Sequence, residues 1–450
     1  MSHSRNISLI FVAMLASLPG FALRLLHVEP SAPITTLITG SAILGASFLL
    51  LWASDAARKD ISQALALAVV ALIAVLPEYA VDMYFTWQAG QQPEGAYAQY
   101  AIANMTGANR LLIGIAWTLI VGIFWFKSRR AVRLEGERRT EILFLGIATL
   151  YAFVIPLKGS LAWYDGMVFV GLYAWYLTVV SRRPPCEEVE LDGPSELLGN
   201  LPRARRRMVT SSLLLFAAAV ILSNAELFSE GLVGTGKILG INEFLLVQWL
   251  APIASEAPEF TVAVMFALRG HAGIALGSLL SAKLNQWTLL VGMIPAVYGL
   301  SSGSLDNPIP MGSYQMNEIL LTAAQSLLAV VLLLSLRLGP RGALLLFGLF
   351  IGQFISPFIL EPAADVFPWA GSILETQYIF TVLYAMTSIY FLVRYRTGLA
   401  ELPKGLGIER ERGDAGAPRE TIRFNPNVSD QRLIPEPVLE RAASRPVAPR

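Results

Sequence analysis

One cysteine, Cys186, and three histidines are the whole thiol and imidazole content of 450 residues. A single cysteine excludes an intramolecular disulfide, a cysteine-based metal cluster and a redox pair, and three histidines are too few for a histidine-rich metal centre. No G-x-G-x-x-G, Walker loop or H-E-x-x-H occurs, so the usual devices for dinucleotides, nucleoside triphosphates and hydrolytic zinc are missing. No soluble stretch is long enough to fold a nucleotide-binding domain, which argues against an ATP-driven pump. Charge is scarce too: 15% of residues are charged against 54% hydrophobic, the net charge is +1 and the mean hydropathy is +0.55. That balance leaves no nucleic-acid footprint and is too apolar for an ordinary soluble domain. No enzyme and no resident cofactor are expected.

What is present is a series of apolar runs near the ~20 residues that a helix needs to cross ~30 Å of hydrocarbon. They fall near 7–26, 34–53, 62–87, 97–126, 141–156, 161–180, 209–228, 241–268, 272–299, 317–336, 342–360 and 376–394, predicting an all-α integral membrane protein of about twelve spans. The first run has a long apolar part and no convincing cleavage site after it, so it reads as a retained helix rather than a secretory signal.

Loop charge then sets the orientation. Lys127, Arg129, Arg130, Arg133, Arg138 and Arg139 crowd one loop, and Arg182, Arg183, Arg203, Arg205, Arg206 and Arg207 another, while 88–96, 300–316 and 361–375 contain no Lys or Arg. Basic loops stay cytoplasmic. Strict alternation therefore puts both termini inside, in the cytoplasmic membrane, with only Arg24, Lys158 and Lys237 opposing. Beyond residue 396 the chain turns to Pro, Arg, Glu, Gly and Ala without apolar periodicity, the composition of a disordered tail.

A few charges sit where hydrocarbon is expected. Glu256, Glu259 and Lys283 lie between Trp249 and Leu290. Each costs at least ~2.5–3.5 kcal/mol at the bilayer centre, so such residues mark a functional interior by default. Pro252 and Pro258 in the same stretch predict a kinked or broken helix whose freed carbonyls could face a cation. Half a chain earlier, Leu-Pro-Glu-Tyr around Glu78 matches Ala-Pro-Glu-Phe around Glu259, and Asp82 follows Glu78 by one helical turn. Each copy precedes a segment of small and amide residues, Ala103-Asn104-Met105-Thr106-Gly107-Ala108-Asn109 in the first and Gly277-Ser278-Leu279-Leu280-Ser281-Ala282-Lys283 in the second. Loop charge runs the two copies in opposite senses. Inverted repeats with interrupted helices and a mid-membrane ion site are the pattern of secondary transporters.

These paired motifs resemble the calcium:cation antiporter superfamily, the sodium/calcium exchanger relatives, whose two alpha repeats each join a Ser-x-Pro-Glu helix to a Gly-Asn-x-x-Gly-Ser-Asn helix. The resemblance implies a ten-helix core over about 34–360 with an added helix at each end. It divides the chain into an extra helix (1–32), a first repeat half (33–180), a basic cytoplasmic loop (181–208), a second half (209–360), a second extra helix (361–396) and the cytoplasmic tail (397–450). It implies Glu78 and Glu259 as the paired cation ligands, with Asn104, Ser278 and Asn109 supplying neutral oxygens.

The chain departs from the family pattern, as a divergent member would. Val75 and Glu256 replace the serine before each Pro-Glu, and Lys283 replaces the last Asn of the second repeat. We expect Lys283 to pair with Glu256 or Glu259 and so alter the charge balance, with Asp82 a further modulating acid. Arg110 is expected to give structural support by snorkelling or by pairing with Asp82. The expected activity is antiport of Ca²⁺ or a related cation against Na⁺ or H⁺ by alternating access, since protons and cations compete for buried carboxylates. The alternative left open is a non-transporting exchanger-fold sensor or scaffold acting through its tail. The transported ions and the bilayer are the expected partners, and the oligomeric state is left open.

Overall fold

A chain with so few turn-forming breaks between apolar runs has one way to satisfy its backbone in lipid, which is helix. The computed structural model describes residues 3–28, 30–60, 75–182, 191, 193–363 and 373–406, and what it describes is nearly all helical. In chain order the first half comprises α1 (His3–Leu26), α2 (Ala32–Ala57), α3 (Leu76–Gln91), α4 (Tyr97–Leu111), α5 (Thr118–Ser128), strand β1 (Val132–Arg133), α6 (Arg139–Ala152), α7 (Val154–Lys158) and α8 (Trp163–Ser181). After the short α9 (Pro194–Gly199) come α10 (Arg203–Leu239), α11 (Glu243–Leu268), α12 (Ala272–Asn285), α13 (Val291–Ser302), α14 (Ser313–Leu333), β2 (Arg337–Leu338), α15 (Pro340–Ala363), α16 (Ile373–Arg394) and α17 (Arg396–Glu401). Seven of the described helices are long and apolar enough to cross a membrane by themselves. The tail expected over 397–450 lies outside the described residues from 407 onward, as does the first part of the 62–87 span.

Tertiary contacts group the loops by face. β1 and β2 pair antiparallel, Val132 opposite Leu338 and Arg133 opposite Arg337, which brings the 127–140 and 334–339 loops together. Arg206 and Arg207 donate to Asp60, and Asn6 at the start of α1 donates to the Gly193 carbonyl at 2.9 Å. Arg139 pairs with Glu401 and Thr140 donates to the Gly405 carbonyl, placing the described C-terminal segment beside the first basic loop. On the other side, Gln91 donates to Ser301, joining two of the loops that lack Lys and Arg, and Leu161, just after Lys158, bridges Ile309. Arg24 and Lys237, which oppose the loop-charge rule, fall at that end of α1 and α10, and Arg24 pairs there with Glu226 at 2.7 Å.

The halves run antiparallel. α3 begins toward the basic loops and ends against Ser301, whereas α11 begins at the far end of α10 and finishes where Lys127 donates to the Leu268 carbonyl at 2.7 Å. Each half also carries a π-helical stretch right after its small-residue helix, Leu112–Trp117 behind α4 and Gln286–Leu290 behind α12. Such stretches occur mostly at functional sites.

The sequence predicts that α11 kinks or breaks at its prolines, and it does not break. It continues through Pro252 and Pro258 as a single helix. The lost hydrogen bond is accommodated by close approach: Pro252 has no N–H for the Gln248 carbonyl, and a Cβ placed on Gly107 of α4 would stand 1.8 Å from that oxygen. Glycine at 107 therefore lets α4 seat on the carbonyl that proline releases.

Asp60 lies outside the spans and accepts a bidentate bond from Arg206, Nε to Oδ2 at 2.6 Å and Nη2 to Oδ1 at 2.9 Å. These bonds hold its carboxyl below the usual carboxylate range against a smaller opposing effect of burial. A lowered folded-state value contributes stability that is complete above the unfolded value of about 3.9 and is lost as pH falls through the folded value. Asp60→Asn should therefore melt several degrees lower than wild type at pH 7, with the gap closing as the pH is taken below about 3.9. A pH-independent gap in detergent-solubilised protein would assign the effect to packing.

Candidate functional site

Glu78 occupies the first turn of α3, behind Pro77 and next to the helix start at Val75. The N-terminal end of a helix carries partial positive charge, which suits a carboxylate. Glu78 is 2% exposed, and neither of its oxygens meets hydrogen-bond geometry with any described residue, although the Gln286 amide is close by. Glu256, Asp82 and Glu259 all lie within electrostatic reach of it. Glu256, fully buried, accepts from Gln286 Nε2 at 2.6 Å through one oxygen and leaves the other unpartnered. Glu259 is half-buried, so it is the member of the group that open space reaches.

Asp82 and Asn104 form a pair on the adjoining turns of α3 and α4. Asn104 Nδ2 donates to Asp82 Oδ1 at 2.9 Å, leaving the Asn104 oxygen and Asp82 Oδ2 without partners. The structure therefore brings Glu78, Asp82, Asn104, Glu256 and Glu259 into one region between oppositely running helices. Ser278 is not brought in: it faces outward on α12 as an exposed residue. Among the described residues no three His, Cys, Asp or Glu side chains converge as a preformed metal cage, so any ion held here draws on carboxylates together with neutral oxygens.

Lys283 does not pair with Glu256 or Glu259. It is completely buried; Nζ donates to Asn109 Oδ1 at 2.7 Å and to the Asn109 carbonyl at 3.3 Å, and stands 4.4 Å from the centre of the Trp287 ring. No carboxylate comes within 4.0 Å of it among the described residues, and Gln286 donates to one oxygen of Glu256. The Asn109 side chain, expected to offer a neutral oxygen to a mobile ion, offers it to this ammonium instead. Its own amide donates to the Met105 carbonyl at 2.8 Å.

Arg110 departs from expectation as well. It pairs with Glu318 of α14, not with Asp82, and its guanidinium lies 5.0 Å from the Trp249 ring centre. Glu318 also accepts from Gln248 Nε2 at 2.7 Å and from Gln377. α4, α11, α14 and α16 thus meet on one neutralised charge pair beside the acidic region.

Several participants gave no local signal. Asp55, at the end of α2, is within electrostatic reach of Glu259. Tyr79 Oη donates to Asn285 Oδ1 at 2.6 Å, tying α3 to α12, and Tyr84 and Tyr97 both donate to Glu230 Oε1 at 2.8 Å. Gly299-Leu300-Ser301-Ser302-Gly303 has the spacing of a nucleophile elbow, but it closes a helix instead of a strand-to-helix turn. Its Ser301 hydroxyl donates to the Trp87 carbonyl at 2.5 Å.

Two oppositely running helices, each bringing a carboxylate to a shared interior, define the class: an inverted-repeat secondary cation transporter of the membrane. The sodium/calcium exchanger protein family profile matches residues 31–182 and 210–357, and the chain belongs to that family. A crystal structure of the H⁺/Ca²⁺ exchanger CAX is 41% identical, covering 90% of this chain and 98% of its own, with a TM-score of 0.82. An uncharacterized membrane protein of Methanocaldococcus jannaschii is 25% identical over 263 residues, 57% of this chain and 78% of the relative. The structure of native YfkE shares the fold at 15% identity and a TM-score of 0.55, over 76% of this chain and 97% of that one.

Leaving one member of a buried ion pair alone costs about 3–5 kcal/mol, whereas removing both charges is far less harmful. Arg110→Met should accordingly lower the melting temperature sharply, and adding Glu318→Gln should restore most of it. Equal melting of wild type and Arg110→Met would show that the pair carries no structural load.

Proposed function

We propose that this protein exchanges Ca²⁺ for protons across the membrane, with Glu78 and Glu259 as the exchanging carboxylates. The observation that carries this reading is Glu78: a buried carboxylate with both oxygens unpartnered, surrounded by further acids, while the nearby ammonium of Lys283 is engaged by Asn109. Buried like charges repel strongly in a low dielectric, so the region needs either a bound cation or protons to offset it. A site that alternates between the two is a proton-coupled exchanger. The 41% identity to a structure named as an H⁺/Ca²⁺ exchanger favours H⁺ over Na⁺ as the counter-ion. Asn104, whose oxygen is free, joins the carboxylates as a neutral ligand, and Asp82 supplies charge behind it.

In this reading Lys283 is a tethered cation. It fills the Asn109 oxygen that a mobile ion would otherwise use, and so reduces the number of ions carried per cycle. Alternating access proceeds by movement of one repeat half against the other about the shared site. The arrangement follows twelve spans, with a ten-helix core over about 34–360 and both termini on the cytoplasmic side of the plasma membrane. The boundaries are 1–32, 33–180, 181–208, 209–360, 361–396 and 397–450.

Proteoliposomes test the assignment. With separately imposed Na⁺, K⁺ and H⁺ gradients, Ca²⁺ uptake should follow the H⁺ gradient, and Glu78→Gln or Glu259→Gln should each reduce it at least about 100-fold, the scale set by losing ~2.7 kcal/mol of charge compensation. Normal uptake by both variants would remove these residues from the site, and flux driven only by Na⁺ would replace the proton as counter-ion.

Lys283→Asn should change the charge moved per Ca²⁺, read as the reversal potential of uptake against an imposed membrane voltage. An unchanged reversal potential would mean that Lys283 is a packing element only.

A further inference from the structure

Away from the acidic region, a cleft of about 530 Å³ opens on the face of the basic loops, lined by Phe124, Arg130, Arg133, Gly270, Gly273 and Arg337 among others. Its construction is unfavourable without an occupant. Arg133 and Arg337 stand directly opposite each other in the β1–β2 ladder, where facing residues project to the same side. Val132 and Leu338 take the buried side of that ladder, leaving both guanidinium groups on the exposed side. Like charges directly opposite are destabilising. Among the described residues no carboxylate lies within ion-pairing distance of Arg130, Arg133 or Arg337.

A fourth source of positive potential enters from α12. This 14-residue helix starts at the cleft, has no acidic residue in its first turn and receives no side-chain cap from His271. The start of an uncapped helix presents N–H groups and partial positive charge to an anion. Gly273 fixes it against β1: a Cβ there would stand 2.5 Å from the Arg133 carbonyl.

We propose that this cleft binds the phosphate of an anionic phospholipid headgroup. Three unpaired guanidinium groups and a bare helix start match a phosphate in charge and in hydrogen-bond donors. The setting favours a lipid as its carrier. The cleft lies where α5 and α11 leave the membrane, and the exposed apolar side chains of Phe126 and Leu268, at the ends of those two helices, sit close in sequence to its lining residues Phe124, Arg130 and Gly270. Trp125, with Arg129 4.5 Å from its ring centre, marks the interfacial level at which headgroups sit. Basic pockets at that level bind anionic headgroups. The inference is independent of the transported ions.

Native mass spectrometry of the full-length protein in detergent tests it, with phosphatidylglycerol and phosphatidylcholine titrated separately. Phosphatidylglycerol should bind more tightly, and Arg133→Gln with Arg337→Gln should weaken it about tenfold or more. Arg205→Gln, an exposed arginine elsewhere on the same face, should change it less than about twofold. If the double variant fails to fold, Arg130→Gln alone should still weaken phosphatidylglycerol binding. Equal affinity for the two lipids, unchanged binding by the cleft variants, or an equal loss in Arg205→Gln would each overturn the proposal. So would displacement of the lipid by equimolar inorganic phosphate, which would give the cleft to a free anion.

Discussion

Buried carboxylates that no described residue pairs with in a salt bridge are the constraint around which this molecule is arranged. Glu78 and Glu256 are almost completely enclosed, Asp82 completely, and Glu259 half. Stability alone would favour a salt bridge or a plain hydrocarbon packing at such a place, because isolated charges in a low dielectric are costly. The fold instead leaves Glu78 without a single hydrogen-bond partner among the described residues. A site of this kind is stable only while something mobile compensates it, and compensation by exchangeable ions is what an exchanger does. Even the helix ends follow this logic, since α3 starts beside Glu78 and turns its partial positive charge toward the carboxylate.

The surrounding polar groups are spent on holding the helices, which leaves the acids open. Gln286 supports one oxygen of Glu256, Tyr79 reaches Asn285, and Asn104 supports Asp82 from behind. Arg110, which could have neutralised the acidic group, is retained by Glu318, whose carboxylate also accepts from Gln248 and Gln377 on the neighbouring helices. Close helix contact makes this separation possible: Gly107 allows α4 to sit on the carbonyl that Pro252 frees. The proline thus acts through the contact it permits.

Much of the plan was legible in the chain. Alternating loop charge anticipated which loops share a face, and β1 with β2, Arg206 with Asp60 and Gln91 with Ser301 join loops as that pattern requires. The duplicated Pro-Glu-aromatic motif, being local and repeated, picked out Glu78 and Glu259, which the fold brings into one region. What could not be read is which partner each buried charge selects. Arg110 is 208 residues from Glu318 and Lys283 is 174 from Asn109, and nothing in either neighbourhood distinguishes those acceptors from Asp82 or Glu256. Ser278 shows the converse failure: its motif position matched, but the turn of α12 carries it to an exposed face. Motif alignment supplies register along a helix. It does not supply which side of the helix meets the interior when the second repeat has diverged.

The two buried cations of the repeats are therefore handled in different ways, and the difference has a physical consequence. Arg110 is matched by a full carboxylate and adds no net charge to its surroundings, so it behaves as structure. Lys283 is matched only by neutral oxygens and the face of an indole, so on the proposed reading its charge acts on Glu78 and Glu256 through the low-dielectric interior. On that reading a cation or proton arriving at those acids would meet a field that already contains one positive charge, and fewer mobile charges would be needed to balance the group. On the proposed reading, replacing the motif's final amide by lysine changes the charge inventory of the site while preserving its carboxylates. Because Asn109 holds that ammonium through both its side-chain and its main-chain oxygen, the charge is positioned by α4 of one repeat while being supplied by α12 of the other. Under the same proposal, any movement of one repeat against the other would shift the field at the carboxylates, so the contact that lowers the number of mobile charges would also couple their binding to the conformational cycle.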